Sequence, residues 1–433
     1  MDQSTASIVV MLTMFVMLGA GIWVALALAG VGFVAMALFT SRPIGLVMAT
    51  NVWGASTSWT LTALPLFIWM GEILFRTRIS SDMFKGLAPW MGWLPGRLMH
   101  VNIVGCSIFA AVSGSSAATA ATIGRMTIPE LTRRGYDPMM IVGSLAGAGT
   151  LGLLIPPSII MIVYGVAADV SIARLFIAGV IPGILLTGLF MAYVAGWSAL
   201  NPGRVPPPEP PQSFAEKIRD TGSLIPVVLL IVAVLGSIYI GIATPTEAAG
   251  VGVLGSLVLA LVTGTLNWTT FRDSVLGAAH TSCMIGFILA GAAFLTVAMG
   301  YTGIPRLLAE WITSMQLSTA ALLVVLTIFF VIMGCFLDGI SMVVLTTSVI
   351  MPMVQKAGID LLWFGIYIVI VVEMAQITPP VGFNLFVLQP MTGKDIFTIG
   401  KASFPFFAVM VLMVVLLWLF PGLVTWLPSK MIG

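Results

Sequence analysis

Four short segments place oxygen donors and helix breakers inside long apolar runs. The first is Ser113-Gly-Ser-Ser-Ala-Ala-Thr119, where Gly114 permits a turn and Ser113, Ser115, Ser116 and Thr119 supply hydroxyls. The second is Gly147-Ala-Gly-Thr-Leu-Gly-Leu-Leu-Ile-Pro-Pro157. Pro156 and Pro157 carry no N–H, so carbonyls about one turn earlier lose their helical partners. Hydroxyls and freed carbonyls are hard oxygen ligands of the kind a Na⁺ ion takes, and a broken helix also turns the positive end of a half-helix toward an anion. The third segment, Gly334-Cys-Phe-Leu-Asp-Gly-Ile-Ser341, carries Asp338. A carboxylate inside an apolar run is costly, so it is expected to attract a cation, cap a helix N-terminus or take up a proton. The fourth, Ala375-Gln-Ile-Thr-Pro-Pro-Val-Gly-Phe-Asn384, offers the Thr378 hydroxyl and the Asn384 amide. Close packing of small residues between helices is the alternative for each segment alone. Their occurrence as two similar pairs favours binding.

Other polar residues in apolar surroundings carry weaker signals. Thr244-Pro-Thr-Glu247 reads as the capped start of a helix. Glu72 and Glu373 have three readings open: a partner, an ion or the membrane interface. Arg125 is placed either to pair with a ligand carboxylate or to snorkel to the surface. His100 and His280 show no metal-ligand spacing, and Cys106, Cys283 and Cys335 form no CxxC pair, so the cysteines read as core thiols.

The elements that must position these residues follow from composition. Hydrophobic residues are 59% of 433 and charged residues 8%, with mean hydropathy +1.11. A soluble domain carries about a quarter charged residues. Apolar runs of about 20 residues recur along the chain, each enough to cross a bilayer. The fold class expected is therefore an all-α polytopic membrane protein. The net charge of +2 gives no reason to expect a nucleic-acid partner. Met1-Asp2-Gln3 lacks a basic leader, so the first apolar run is expected to stay in the membrane.

An internal repeat organises the chain. Pro129, Gly135, Asp137, Pro156, Pro157 and Pro182 each have a like residue 223 positions on, at Pro352, Gly358, Asp360, Pro379, Pro380 and Pro405. This predicts two repeats, residues 1–200 and 223–433, joined by a hydrophilic linker at 201–222 that contains Pro206-Pro-Pro-Glu-Pro-Pro211. Each repeat is expected to hold scaffold helices, a re-entrant hairpin (about 98–130 and 317–352) and a broken helix (about 139–165 and 361–392). With five crossings per repeat and both termini outside, 12 Lys and Arg fall inside and 5 outside, which is the expected bias. An odd number of crossings inverts the second repeat. The tryptophans mostly flank crossings, as interfacial residues do.

Ala63-Leu-Pro-Leu-Phe-Ile-Trp-Met-Gly71, Ser113–Thr119, Ile128-Pro-Glu-Leu-Thr-Arg-Arg-Gly-Tyr-Asp137, Gly149–Ser158, Thr244–Ala249, Phe336-Leu-Asp338 and Thr378–Phe386 together closely resemble the large membrane subunit of TRAP transporters, the tripartite ATP-independent periplasmic systems. The resemblance implies an elevator-type transporter of the inner membrane. It also implies Na⁺ as coupling ion, a separate small four-helix membrane subunit and a periplasmic binding protein that delivers a small carboxylate, of the sialic acid or C4-dicarboxylate class. It places one Na⁺ site among Ser113, Ser115, Ser116, Gly149, Leu153 and Pro156. A second falls among Gly334, Phe336, Asp338, Ala375 and Thr378. Substrate contacts are expected from Arg125, Ser116, Thr119, Pro157, Pro380 and Asn384. Arg125 departs from the small or neutral residue of the family pattern. No Walker motif is present, so ATP is not expected as the direct energy source. Two other readings remain: a stand-alone Na⁺- or H⁺-coupled carboxylate carrier, and an intramembrane serine hydrolase using Ser115 or Ser116 with His100 or His280. A subunit with no substrate of its own is disfavoured by Asp338 and the paired breaks.

Overall fold

A computed structural model describes residues 3–77, 79–208, 213–222, 224–303, 307, 310, 315, 317–334, 337–380 and 382–431, and every regular element among them is a helix. In a bilayer the backbone must satisfy its own hydrogen bonds, which leaves helices as the spanning form for such apolar runs. Ile172–Leu200, Pro245–Val262, Trp268–Thr302 and Ile396–Leu419 are each long and apolar enough to cross alone. Four further candidates are bent pairs, including Ile44–Ser56 with Trp59–Phe75 and Pro138–Leu154 with Ile159–Ala168.

The two halves share an order of elements. Met99–Ser113 and Ser116–Arg133 form a first hairpin, turning at Gly114 with φ +58°. Thr319–Gly334 and Gly339–Lys356 form a second. Each hairpin ends in a left-handed glycine, Gly135 or Gly358. An aspartate N-cap follows: Asp137 accepts from the Met140 N–H at 2.9 Å, and Asp360 from that of Trp363 at 2.8 Å. The broken helices begin at these caps. The first runs through Pro138–Gly149 and Leu151–Leu154, then resumes as Ile159–Ala168. The second is Leu361–Gln376 followed by Phe383–Thr392. The long helices Ile172–Leu200 and Ile396–Leu419 follow in turn.

These elements pack as two groups. Val24–Phe39, Ala63–Phe75, Pro245–Val262 and Trp268–Thr302 lie against one another. The hairpins, broken helices and the two long helices form the other group, with Leu361–Gln376 at its centre, buried from Leu362 to Gln376. Glycine sets the closest crossings. A methyl on Gly143 would overlap the Ala402 carbonyl oxygen, and one on Gly291 would lie 2.5 Å from that of Ala25. The linker is anchored at one end of the bundle. Its helix Phe214–Thr221 is capped reciprocally by Ser213 and Glu216, whose hydrogen bonds hold the Glu216 carboxyl below its usual range. Trp90 Nε1 donates to Thr221 Oγ1 at 2.7 Å, Arg97 donates to the Pro206 carbonyl, and Arg204 lies 3.7 Å from Asp137. The start of Pro245–Val262 carries the expected capping box of Thr244 and Glu247.

Because the Gly143 crossing has no room for a side chain, Gly143→Leu should lower detergent stability by about 1–3 kcal/mol, as overpacking does. Gly188→Ala, where nothing lies within 4 Å, should be neutral or slightly stabilising. Thermal unfolding of both variants checks this.

Candidate functional site

The first hairpin tip is held by its own hydroxyls. Ser113 Oγ and Thr119 Oγ1 are 2.7 Å apart, and Ser115 caps Ser116–Arg133 by accepting from the Ala118 N–H. The tip sits against the first break. A methyl on Gly152 would come within 2.6 Å of the Ser115 carbonyl, and the Ile159 N–H reaches the Gly114 carbonyl at 3.4 Å. Ser158 donates to the Leu153 carbonyl at 2.5 Å while accepting from the Met161 N–H, so it bridges both sides of the break. The tip residues Ser115 and Ser116 thus come against Gly152, Gly149 and Leu153 of the broken helix, whereas Pro156 packs toward Gly179; the Pro156–Pro157 bond is cis.

The second hairpin tip repeats this arrangement with a carboxylate. Asp338 accepts from the Ile340 and Ser341 N–H groups at 3.1 and 3.2 Å, capping Gly339–Lys356. Gly334 lies directly against Ala375, with space for no methyl, and Gly339 approaches Val372, Ile160 and Gln376. Thr378 donates to the Met374 carbonyl at 2.7 Å, and the Pro379–Pro380 bond is cis. Phe336 lies outside the described residues.

Both tips open on one cavity of about 1130 Å³. Its wall on the hairpin side includes Ser115, Ser116, Leu153, Ile159, Asp338, Ser341, Gln376 and Asn384, and its opposite wall Trp23, His280, Thr281, Met284 and Phe287. Four helix N-termini meet there, those of Ser116–Arg133, Ile159–Ala168, Gly339–Lys356 and Phe383–Thr392. Side chains cap the first three, whereas Phe383–Thr392 starts at Gly382 with no side-chain cap. Asn384, fully buried in that uncapped first turn, has no partner for either Nδ2 or Oδ1. Among the described lining residues there is no Lys or Arg. Helix ends and amides, each a partial positive charge, are therefore what the site offers an anion.

Arg125 lies elsewhere. It is exposed, its guanidinium 5.4 Å from the Phe75 ring centre, and it does not line the cavity. Thr119 is buried under the first tip, and Pro380 is exposed beyond the second break. Cys283 is not the core thiol expected, because its place on Trp268–Thr302 faces the cavity; Cys106 is buried. Among the described residues no serine–histidine hydrogen bond is present: His100 Nε2 meets the Pro95 carbonyl at 2.6 Å, Ser116 bonds a carboxylate, and His280 lines the same cavity as Ser115 and Ser116 without a bond to either.

Residues 9–423 match the family model described as "Tripartite ATP-independent periplasmic transporter, DctM component". The chain belongs to this family. It is 32% identical over 383 residues to the C4-dicarboxylate TRAP transporter large permease protein DctM of Pseudomonas aeruginosa, covering 88% of this chain and 89% of that one. It is also 32% identical over 412 residues to the isethionate TRAP transporter permease protein DctMQ of Oleidesulfovibrio alaskensis, covering 92% of this chain and 62% of that one. Among solved structures it resembles the Alcanivorax borkumensis YdaH transporter, at TM-score 0.66 and 15% identity over 95% of this chain and 98% of that one, a likeness of fold. The protein is thus a TRAP large permease and a multi-pass membrane transporter component, not an enzyme, which removes the hydrolase reading.

Three residues of this permease site have no settled place in the sequence reading: Gln376 is not singled out, His280 enters only the hydrolase reading, and Glu373 stays open between a partner, an ion and the interface. Gln376 and His280 line the cavity, and Glu373 is the buried partner of Ser116. His280 carried no spacing signal, since its neighbours across the cavity are distant in sequence. Glu373 did carry one, as an acidic residue in an apolar run.

Asn384 makes opposite demands on stability and function. Leucine there should leave the thermal midpoint unchanged or raised, because an unpaired buried amide is removed. The same change should weaken substrate binding by about 1–3 kcal/mol, roughly 10–100-fold in KM for uptake.

Proposed function

We propose that this permease is the translocating subunit of a Na⁺-coupled importer of a small organic anion across the bacterial inner membrane. The observation that carries the reading is the meeting of four helix N-termini and the unpaired Asn384 amide on a cavity bounded by both hairpin tips. An anion there is stabilised by partial charges already fixed in place, with no full positive charge to desolvate. The hydroxyls of Ser113, Ser115 and Ser116, with the carbonyls around Gly149 to Pro156, form one donor group for Na⁺; Gly334, Asp338, Ala375 and Thr378 border a second. A cation at either would tie a hairpin tip to a helix break and so complete the anion site. Binding would then be coupled, because each ion orders the backbone that the other needs.

The packing into two helix groups supports an elevator movement, in which the hairpin group slides along Trp268–Thr302 and carries the cavity with it. Each unit charge moved through 100 mV contributes about 2.3 kcal/mol. The substrate is a small carboxylate or a similar anion; relatives are named for C4-dicarboxylate and isethionate. It would be delivered by a periplasmic binding protein and accepted together with a small membrane subunit on a separate chain. The Lys and Arg bias supports a topology with both chain termini on the periplasmic side.

The test is thermal unfolding of the purified permease with its small subunit, in NaCl against choline chloride at fixed ionic strength. A ligand at 100 times its Kd stabilises the folded state by about 2.7 kcal/mol. A saturable, Na⁺-specific rise is expected, reduced in Ser116→Ala and Thr378→Val. Equal curves in Na⁺ and choline would sink the coupling-ion assignment. Uptake into proteoliposomes should in addition require both the Na⁺ gradient and the binding protein.

A further inference from the structure

Glu373 lies in the part of Leu361–Gln376 that is buried on every side, and it is 0% exposed. Ser116, 257 residues away in the chain, donates its hydroxyl to Glu373 Oε1 at 2.5 Å. The other oxygen, Oε2, is buried with no hydrogen-bond partner. None of the described ion pairs includes Glu373. A carboxylate so placed is strongly disfavoured as a bare charge and needs a neutralising partner. The first hairpin tip has the complementary deficit. Its donors, the Ser113, Ser115 and Ser116 hydroxyls and the carbonyls of the first break, are all neutral. The carboxylate among the described residues lining the cavity, Asp338, belongs to the other tip and caps Gly339–Lys356.

We infer that Glu373 is the fixed counter-charge of the cation bound at the first hairpin tip, an inference that rests on the Na⁺ reading above. Its bond to Ser116 has a second effect. The hydroxyl hydrogen points at Glu373, so the oxygen lone pairs face away from it and are free for a metal ion. A carboxylate acceptor also makes that oxygen a better ligand, because hydrogen bonds in a chain polarise one another. Glu373 therefore acts as a positioning residue, through Ser116, as well as through its charge. It also joins the halves of the chain, since the tip belongs to the first half and the carboxylate to the second.

Glu373→Gln keeps the size of the side chain and an oxygen to accept from Ser116, and removes the charge. The permease with its small subunit is titrated with NaCl against choline chloride, following thermal unfolding and then Na⁺-dependent uptake. The expected result is a rise of roughly tenfold or more in the Na⁺ concentration for half-maximal effect. The midpoint in choline should be equal to or above that of the wild type, and KM for substrate at saturating Na⁺ should change little. Glu373→Ala, which leaves space for water, must shift the Na⁺ midpoint in the same direction. Superimposable Na⁺ titrations of wild type and either variant would overturn the inference and make Glu373 a protonated core acid, leaving the Na⁺ reading intact. A wild type with no Na⁺ response would instead overturn the Na⁺ reading, and the inference with it.

Discussion

Backbone groups at membrane depth have no water to bind, and the rest of this structure depends on how that constraint is met where the helices stop. An intact helix satisfies itself, but each hairpin tip and each break exposes N–H and C=O groups. Here these ends are turned inward and closed against one another. Ser158 spans the first break by bonding the Leu153 carbonyl on one side and the Met161 N–H on the other. Ser403, from the following long helix, donates to the Ile377 carbonyl at the second break at 3.1 Å. Hairpin tips then press into the breaks at glycine contacts, Gly114 and Gly152 in one case and Gly334 and Gly339 in the other. The N-terminal ends of four helices then border the cavity, with the unpaired Asn384 amide in one of them.

The same constraint settles the electrostatics. A guanidinium or ammonium in this apolar cavity would be expensive to bury, and among the described lining residues there is none. In the proposed reading, partial charges at the helix N-termini would serve an anion without that penalty, and hydroxyls and carbonyls would do the same for a cation. Two acidic side chains stand at the tips: Asp338 caps the second hairpin, and Glu373 lies behind the first, bonded to one of its hydroxyls. Glu72, by contrast, pairs with Arg76 one turn away on its own helix.

The family relationship gives this arrangement its context. The match to the DctM component spans nearly the whole chain, and the fold likeness to the YdaH transporter persists at 15% identity. Architecture of this kind tolerates wide sequence change because its demands are local: a small residue where backbones cross, a cap where a helix starts, a proline where one must stop. The opposite wall of the cavity, with Trp23, His280, Thr281 and Phe287, comes from outside the hairpin group.

Much of this was legible in the chain itself. Hydropathy and composition determined an all-helical membrane protein, because no soluble fold could cover so much apolar surface. The positions of Ser113–Thr119, Pro156–Pro157, Asp338 and Pro379–Pro380 marked the breaks, because proline and glycine act on their own backbone whatever surrounds them. Asp137 and Asp360 were legible as a repeat-related pair, and the structure makes each the cap of a helix. Contacts between distant segments were not legible. The sequence left Arg125 between a ligand site and the surface, and the fold puts it exposed over Phe75, because the helix that carries it faces outward at that position. It left Glu373 as one intramembrane acid among several, and only packing set it 2.5 Å from Ser116. His280 gained a place on the cavity wall only once Trp268–Thr302 lay across both hairpin tips. Local rules decide where a helix begins and ends, whereas the partner of a buried polar group depends on how helices far apart in the chain cross, which only the tertiary structure decides.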